Sequence, residues 1–198
     1  LINNGQIIVG GDGISIDEPS QFDLTNTGTI QGGYNGLIFQ TSGDLTGNIV
    51  NSGLIKGSQT AGIKLYEYIT MTGDITNSGT IEGSDAGILL ESSANIIGSI
   101  TNQAGGLIQA TGNPTTGDAV GLNIYDSSTI TGNITNHGTI QGGHDAIRIM
   151  SSSTLDGSIT NTGILRGGIT PAMTTGDGIE ISSTSTVTGS ITNSGTIS

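Results

Sequence analysis

The chain has no cysteine and no tryptophan, and two phenylalanines and four tyrosines make up its whole aromatic content. Missing cysteine excludes disulfide staples and thiolate metal sites. With only 32% hydrophobic residues over 198 positions, there is too little bulk to fill a thick globular centre. Basic residues are also scarce: Lys56, Lys64, Arg148 and Arg166 stand against 16 acidic residues, for a net charge of −12. Binding driven by phosphate neutralisation has almost nothing to work with, so nucleic acid is not an expected partner. No apolar run approaches the roughly 20 residues of a membrane helix, which argues against membrane insertion of this segment. No basic-then-apolar leader opens the chain, so any export signal is expected outside it.

What the chain does have is 35 glycines and a repeated phrase. Residues 73–83 read GDITNSGTIEG and residues 132–142 read GNITNHGTIQG. Alignment on the Asn gives Asn3, Asn26, Asn51, Asn77, Asn102, Asn136, Asn161 and Asn193, at intervals of 23, 25, 26, 25, 34, 25 and 32. Two residues before each Asn the side chain is always Leu or Ile, and four after it stands Ile or Leu in all but one unit, where Ile108 is two places late. A glycine and an alternating apolar pair follow, such as Ile63 and Leu65 or Ile88 and Leu90. Alternation with period two signals strands with one face inward.

A 25-residue unit of three short strands cannot bury its inner face alone, but stacked units can. The pattern predicts an all-β, single-stranded, right-handed parallel β-helix of about seven coils, with 1–198 forming one domain. Strand spacing makes it a rod on the order of 34 Å long. In such a stack Asn26, Asn51, Asn77, Asn102, Asn136, Asn161 and Asn193 are expected to form a buried carboxamide ladder. The glycine two places after the Asn is expected to permit left-handed or otherwise strained backbone angles at a sharp corner.

The units Gly-x-Ile-Thr-Asn-Ser-Gly-Thr-Ile at 73–81 and 189–197 resemble the coils of passenger domains of type V autotransporters and related large bacterial surface adhesins. That resemblance covers essentially the whole chain. It implies a secreted or outer-surface bacterial protein, exported through an outer-membrane barrel. Both ends fall inside a repeat, so the chain is expected to be a fragment of a longer solenoid.

Chemistry-bearing motifs are few. There is no Gly-x-Ser-x-Gly elbow and no metal-protease histidine pair. His137 and His144 occupy variable corner positions and are expected to be turn residues. The outward positions of the paired-apolar strand form the least repetitive strip. It carries Lys64, Tyr66, Glu91, Asn123, Tyr125 and Arg148, a mixture of aromatics and charges suited to a contact surface. Glu91 and Glu180 are three coils apart, roughly 14 Å, too far for a hydrolytic pair.

A second candidate is the pair of inserted loops at 109–120 and 168–177, which share a proline and a Thr-Thr-Gly-Asp tetrad. They contribute Thr115, Thr116 and Asp118, and Thr174, Thr175 and Asp177. No cofactor is expected; Ca²⁺ is the one ion that their oxygen-rich tips would suit. A third face, before the Asn, is small and rich in hydroxyls. The functional expectation is a non-enzymatic rod for adhesion or self-association, its partner another copy of itself or a cell-surface glycan or protein. The alternatives are a fibre subunit joining end to end and a polysaccharide-active β-helix using Glu91 and Asp126.

Overall fold

The computed structural model describes residues 1–18, 21–40, 42–112, 119–169 and 176–198. Every strand pairing among them is parallel and joins equivalent positions of successive units. The chain is a β-solenoid of four sheets. Sheet A collects eight Asn-bearing strands, sheet B the eight that follow them, sheet C seven paired-apolar strands, and sheet D six strands that lead to the next Asn. One coil shows the order: Ile75–Asn77, Thr80–Gly83, Ala86–Glu91 and Asn95–Ile97.

Two expectations need correction. Each full coil has four strands, not three, and six coils carry all four, flanked by partial coils, where seven were expected. In four of the coils the first glycine of the repeated phrase marks the extra break. Gly47, Gly73, Gly98 and Gly132 have φ between 147° and 156°, angles that side-chain-bearing residues rarely adopt. They break what reads as one strand into sheets D and A.

The glycine after the Asn has a different job from the one expected. Gly28, Gly53, Gly79 and Gly163 do not adopt left-handed angles; instead, a Cβ on each would overlap the carbonyl oxygen of the glycine in the preceding coil. Close backbone approach, not torsional freedom, fixes this column.

The core is one side chain deep. Sheet B contributes Ile30, Ile55, Ile81, Ile108 and Ile140, sheet C pairs such as Ile63 with Leu65, sheet D Leu45, Met71, Ile96 and Ile130, and sheet A Ile49, Ile75, Ile100 and Ile134, all buried. Phe39, buried, meets Phe22 edge to face with ring centroids 5.9 Å apart.

The Asn ladder is continuous. Each Nδ2 donates to the Oδ1 of the next Asn, from Asn3 through to Asn193, at 2.7 to 2.9 Å. The same amide reaches a backbone carbonyl within its own turn and another in the next coil, as Asn51 does with Gly53 and Thr80. Burying a carboxamide is costly unless its groups are bonded, and here they are. The late Ile108 does not disturb the ladder: a turn closed by the Gly106 N–H on Gln103 O at 2.9 Å absorbs the two extra residues.

The hydroxyl-rich face has a structural role of its own. At the bend between sheets D and A, each side chain accepts the backbone N–H of the next coil: Asp23 from Asn48, Asn48 from Asp74, Asp74 from Ser99, Ser99 from Asn133, Asn133 from Ser158 and Ser158 from Ser190. At the corner from sheet C to sheet D, pairs of consecutive non-glycine residues take φ near +60°: Glu67 and Tyr68, Ser92 and Ser93, Asp126 and Ser127, Ser151 and Ser152, Ser183 and Thr184. Backbone bonds between coils hold them, Ser93 N–H to Asp126 O at 2.8 Å among them.

Candidate functional site

The outer side of sheet C presents two columns. Register places Ile38, Lys64, Leu89, Asn123, Arg148 and Glu180 in one, with Tyr66 and Glu91 side by side in the other. The strip is expected to be open surface, yet Ile38, Leu89 and Arg148 are each only 6 or 7% exposed. Around Lys64 and Leu89, residues Thr60 and Asp85 of the corner between sheets B and C line the strip, and Arg148 is covered by its own partners.

That corner changes character along the shaft. Near both ends its side chains are polar and bond to the next coil. Asp12 accepts from the Asn35 N–H at 3.0 Å, Asn35 from Ala61 at 3.2 Å, and Asp145 from Asp177 at 2.8 Å. In the middle the equivalent residues are Ala61, Ala86 and Val120, and the two alanines pack on Leu89. Short apolar side chains leave room where longer polar ones stand elsewhere. The result is a groove of about 320 Å³ bounded by Thr60, Lys64, Asp85, Ala86, Leu89, Glu91, Asn123 and Tyr125.

Lys64 Nζ lies 3.1 Å from Glu91 and 4.6 Å from the centre of the Tyr66 ring. The ammonium is thus held between a carboxylate and an aromatic face. The charge of Glu67 holds the Tyr66 hydroxyl above the usual range for a phenol. Tyr125 is 38% exposed. Asn123 Oδ1 is buried and has no hydrogen-bond donor. Of the residues expected in the strip, Lys64, Glu91, Asn123 and Tyr125 converge on the groove, and Tyr66 lies beside it under Lys64. Thr60 and Asp85 are the additions; aligning the residues just before each Ala-Gly pair would have put them in one column.

Arg148 belongs to a separate cluster. Its Nη2 is 2.6 Å from Asp145 Oδ2 and its Nε 3.0 Å from Glu180 Oε2. Its Nη2 also lies 2.7 Å from His144 Nδ1, which is itself 2.9 Å from Asp145 Oδ1. Burial pushes the Asp145 carboxyl up. The Asp177 N–H, the Arg148 charge and the bonds from Arg148 and His144 outweigh this and leave it below the ordinary carboxylate range.

The ligand atoms of His144, Asp145 and Glu180 lie within 4.8 Å of one another, close enough to hold a metal ion. The guanidinium already supplies positive charge there, so the cluster reads as an ion-pair network. Its structural effect is on the second insertion: Asp145 accepts the Asp177 N–H, and His144 O accepts the Gly168 N–H at 2.7 Å. Thr115, Thr116, Asp118, Thr174 and Thr175 lie outside the described residues, as do the loop tips suggested for Ca²⁺. His137, exposed, has Nδ1 2.7 Å from Thr162 Oγ1.

No family model, curated protein or solved structure matches this chain. The class its own geometry defines is a parallel β-solenoid with a buried Asn ladder, and sheet C carries a groove on its outer side.

Proposed function

We propose that the chain is a non-enzymatic rod of a bacterial surface or secreted protein, of the kind its repeats resemble, and that it supports adhesion through the groove on sheet C. The observation that carries this reading is the convergence of Lys64, Glu91, Asn123 and Tyr125 on one groove of an otherwise repetitive shaft. Repetition serves stacking, whereas a break in the repeat that gathers an exposed aromatic, a fixed ion pair and an amide serves recognition. A solenoid suits such a role because its stacked coils hold the contact at a set distance from the anchoring surface.

Binding of the purified chain to whole cells and to immobilised glycans and proteins tests this, with self-association followed by sedimentation. Retention on a surface or concentration-dependent association supports the reading; a strict monomer that binds nothing overturns it. A polysaccharide-active enzyme is a second reading, favoured by one observation: Asp85 and Glu91 line the same groove. Against it, Glu91 is already engaged by Lys64. Release of reducing ends from a glycan panel would replace the first reading with the second.

A further inference from the structure

We infer that the groove takes a neutral oligosaccharide lying along the solenoid axis, with Tyr125 as the stacking platform; this rests on the adhesive reading above. Charge sets the ligand class. Lys64 and Glu91 neutralise each other at 3.1 Å, and the chain as a whole carries −12. An anionic ligand is repelled and finds no unspent cation in the groove. An extended peptide would seek unpaired strand edges, but the sheet C strands beneath the groove are paired on both sides.

The surface chemistry is that of a sugar site. Leu89 lends an apolar floor for ring C–H groups, Tyr125 an exposed aromatic ring, and Thr60 and Asn123 polar groups for hydroxyls. Asn123 is the sharpest pointer, since a buried carbonyl oxygen without a donor is a cost that native structures seldom carry. A hydroxyl-bearing ligand packed against this amide supplies the missing donor once the amide turns toward it.

Geometry sets the orientation. Lys64, Leu89 and Asn123 sit on three successive strands, so the groove spans two inter-coil steps, roughly 10 Å along the axis. That is room for about two pyranose rings end to end. Thr60 and Asp85, from the corner between sheets B and C, line it alongside these strands.

The test is calorimetry and glycan-array binding with the whole chain, using neutral di- to tetrasaccharides, uronic-acid or sialylated oligosaccharides, and monosaccharides as probes. Neutral oligosaccharides should bind in preference to acidic ones and to monosaccharides. Tyr125→Ala should weaken them about tenfold, the scale of one lost stacking contact, while Tyr125→Phe keeps the affinity. Gln141→Ala, on sheet B, should leave binding unchanged, and circular dichroism checks that each variant is folded. Preference for acidic glycans, or affinity indifferent to Tyr125→Ala in a folded variant, overturns the inference. A chain that adheres to cells or to itself but binds no neutral glycan leaves the rod reading standing and removes this one; a chain that binds nothing removes both.

Discussion

Asn77 Nδ2 donates to Asn102 Oδ1 at 2.9 Å, and the same nitrogen is within 3.1 Å of Gly79 O and 3.2 Å of Leu107 O. One side chain thus ties its own turn to the next coil, and Asn51 in turn donates to Asn77 Oδ1 at 2.8 Å.

Asn77→Ala removes a donor and an acceptor together and leaves Asn51 Nδ2 without its side-chain partner. The expected loss is about 3 kcal/mol, from several hydrogen bonds and the groups left unpaired. Urea unfolding of the variant against the parent measures it; a loss within experimental error would mean the ladder contributes nothing net.

Ser128 and Ser153 occupy equivalent inward positions at the start of sheet D but are not equivalent energetically. Ser153 Oγ accepts the Ser128 N–H at 3.2 Å, whereas Ser128 Oγ is buried without a partner. One coil earlier the same position is Ala94, fully buried. Ser128→Ala should therefore be neutral or stabilising by up to about 1 kcal/mol, while Ser153→Ala, which frees the Ser128 N–H, should cost about 1 to 2 kcal/mol. Thermal midpoints of the two variants should move in opposite directions or differ by several degrees.

Ser92 and Ser93 hold φ of 59° and 61°, a region that disfavours any residue with a Cβ. Replacing both with glycine should raise stability by about 1 kcal/mol, since the relieved backbone cost exceeds the added unfolded-state entropy. Ser93→Val should lower it. If the glycine pair destabilises, the serine hydroxyls contribute more to that corner than the backbone geometry implies.

Asp145 has its carboxyl pKa lowered in the folded chain. A depressed folded pKa gives stability that is present above the unfolded value, about 3.9, and lost as pH falls through the folded one. Arg148→Met leaves Asp145 buried without its counter-charge and should cost about 3 to 5 kcal/mol at neutral pH. That cost should shrink on acidification, because Asp145 buried without a cation takes up its proton at higher pH than in the parent and, once protonated, no longer needs the counter-charge. Unfolding curves of parent and variant across pH 3 to 7 check the convergence; a constant gap would assign the loss to packing alone.

The stack was legible in the sequence because equal spacing of Asn and Ile is a direct image of equal position in a coil. Period-two alternation marked Ile63 with Leu65 and Ile88 with Leu90 as inward, and all four are buried. The break at Gly73 was not legible, since a glycine ending one strand and a glycine inside one look alike until the backbone angle is known. The left-handed pairs were hidden for a related reason: Ser92-Ser93 and Asp126-Ser127 read as ordinary polar turn residues, and only neighbouring coils can hold them there. At the groove, alternation identified Lys64, Glu91, Asn123 and Tyr125 as outward. It could not show that Thr60 and Asp85 line the same groove, because that depends on how a corner in one coil sits beside a strand in another.

Matched columns make girth and reach independent quantities. Excising residues 52–77 would join Asn51 to Ser78, which follows Asn77 as Ser52 follows Asn51, and would return Asn51 opposite Asn102 in the register Asn77 now holds. The shaft would be shorter by one rise, roughly 4.8 Å, and otherwise sound, although Lys64 and Tyr66 would leave with the excised coil. A protein built this way can be lengthened or trimmed by whole turns during descent without redesigning its interior, so the distance it spans is free to vary while its cross-section stays fixed.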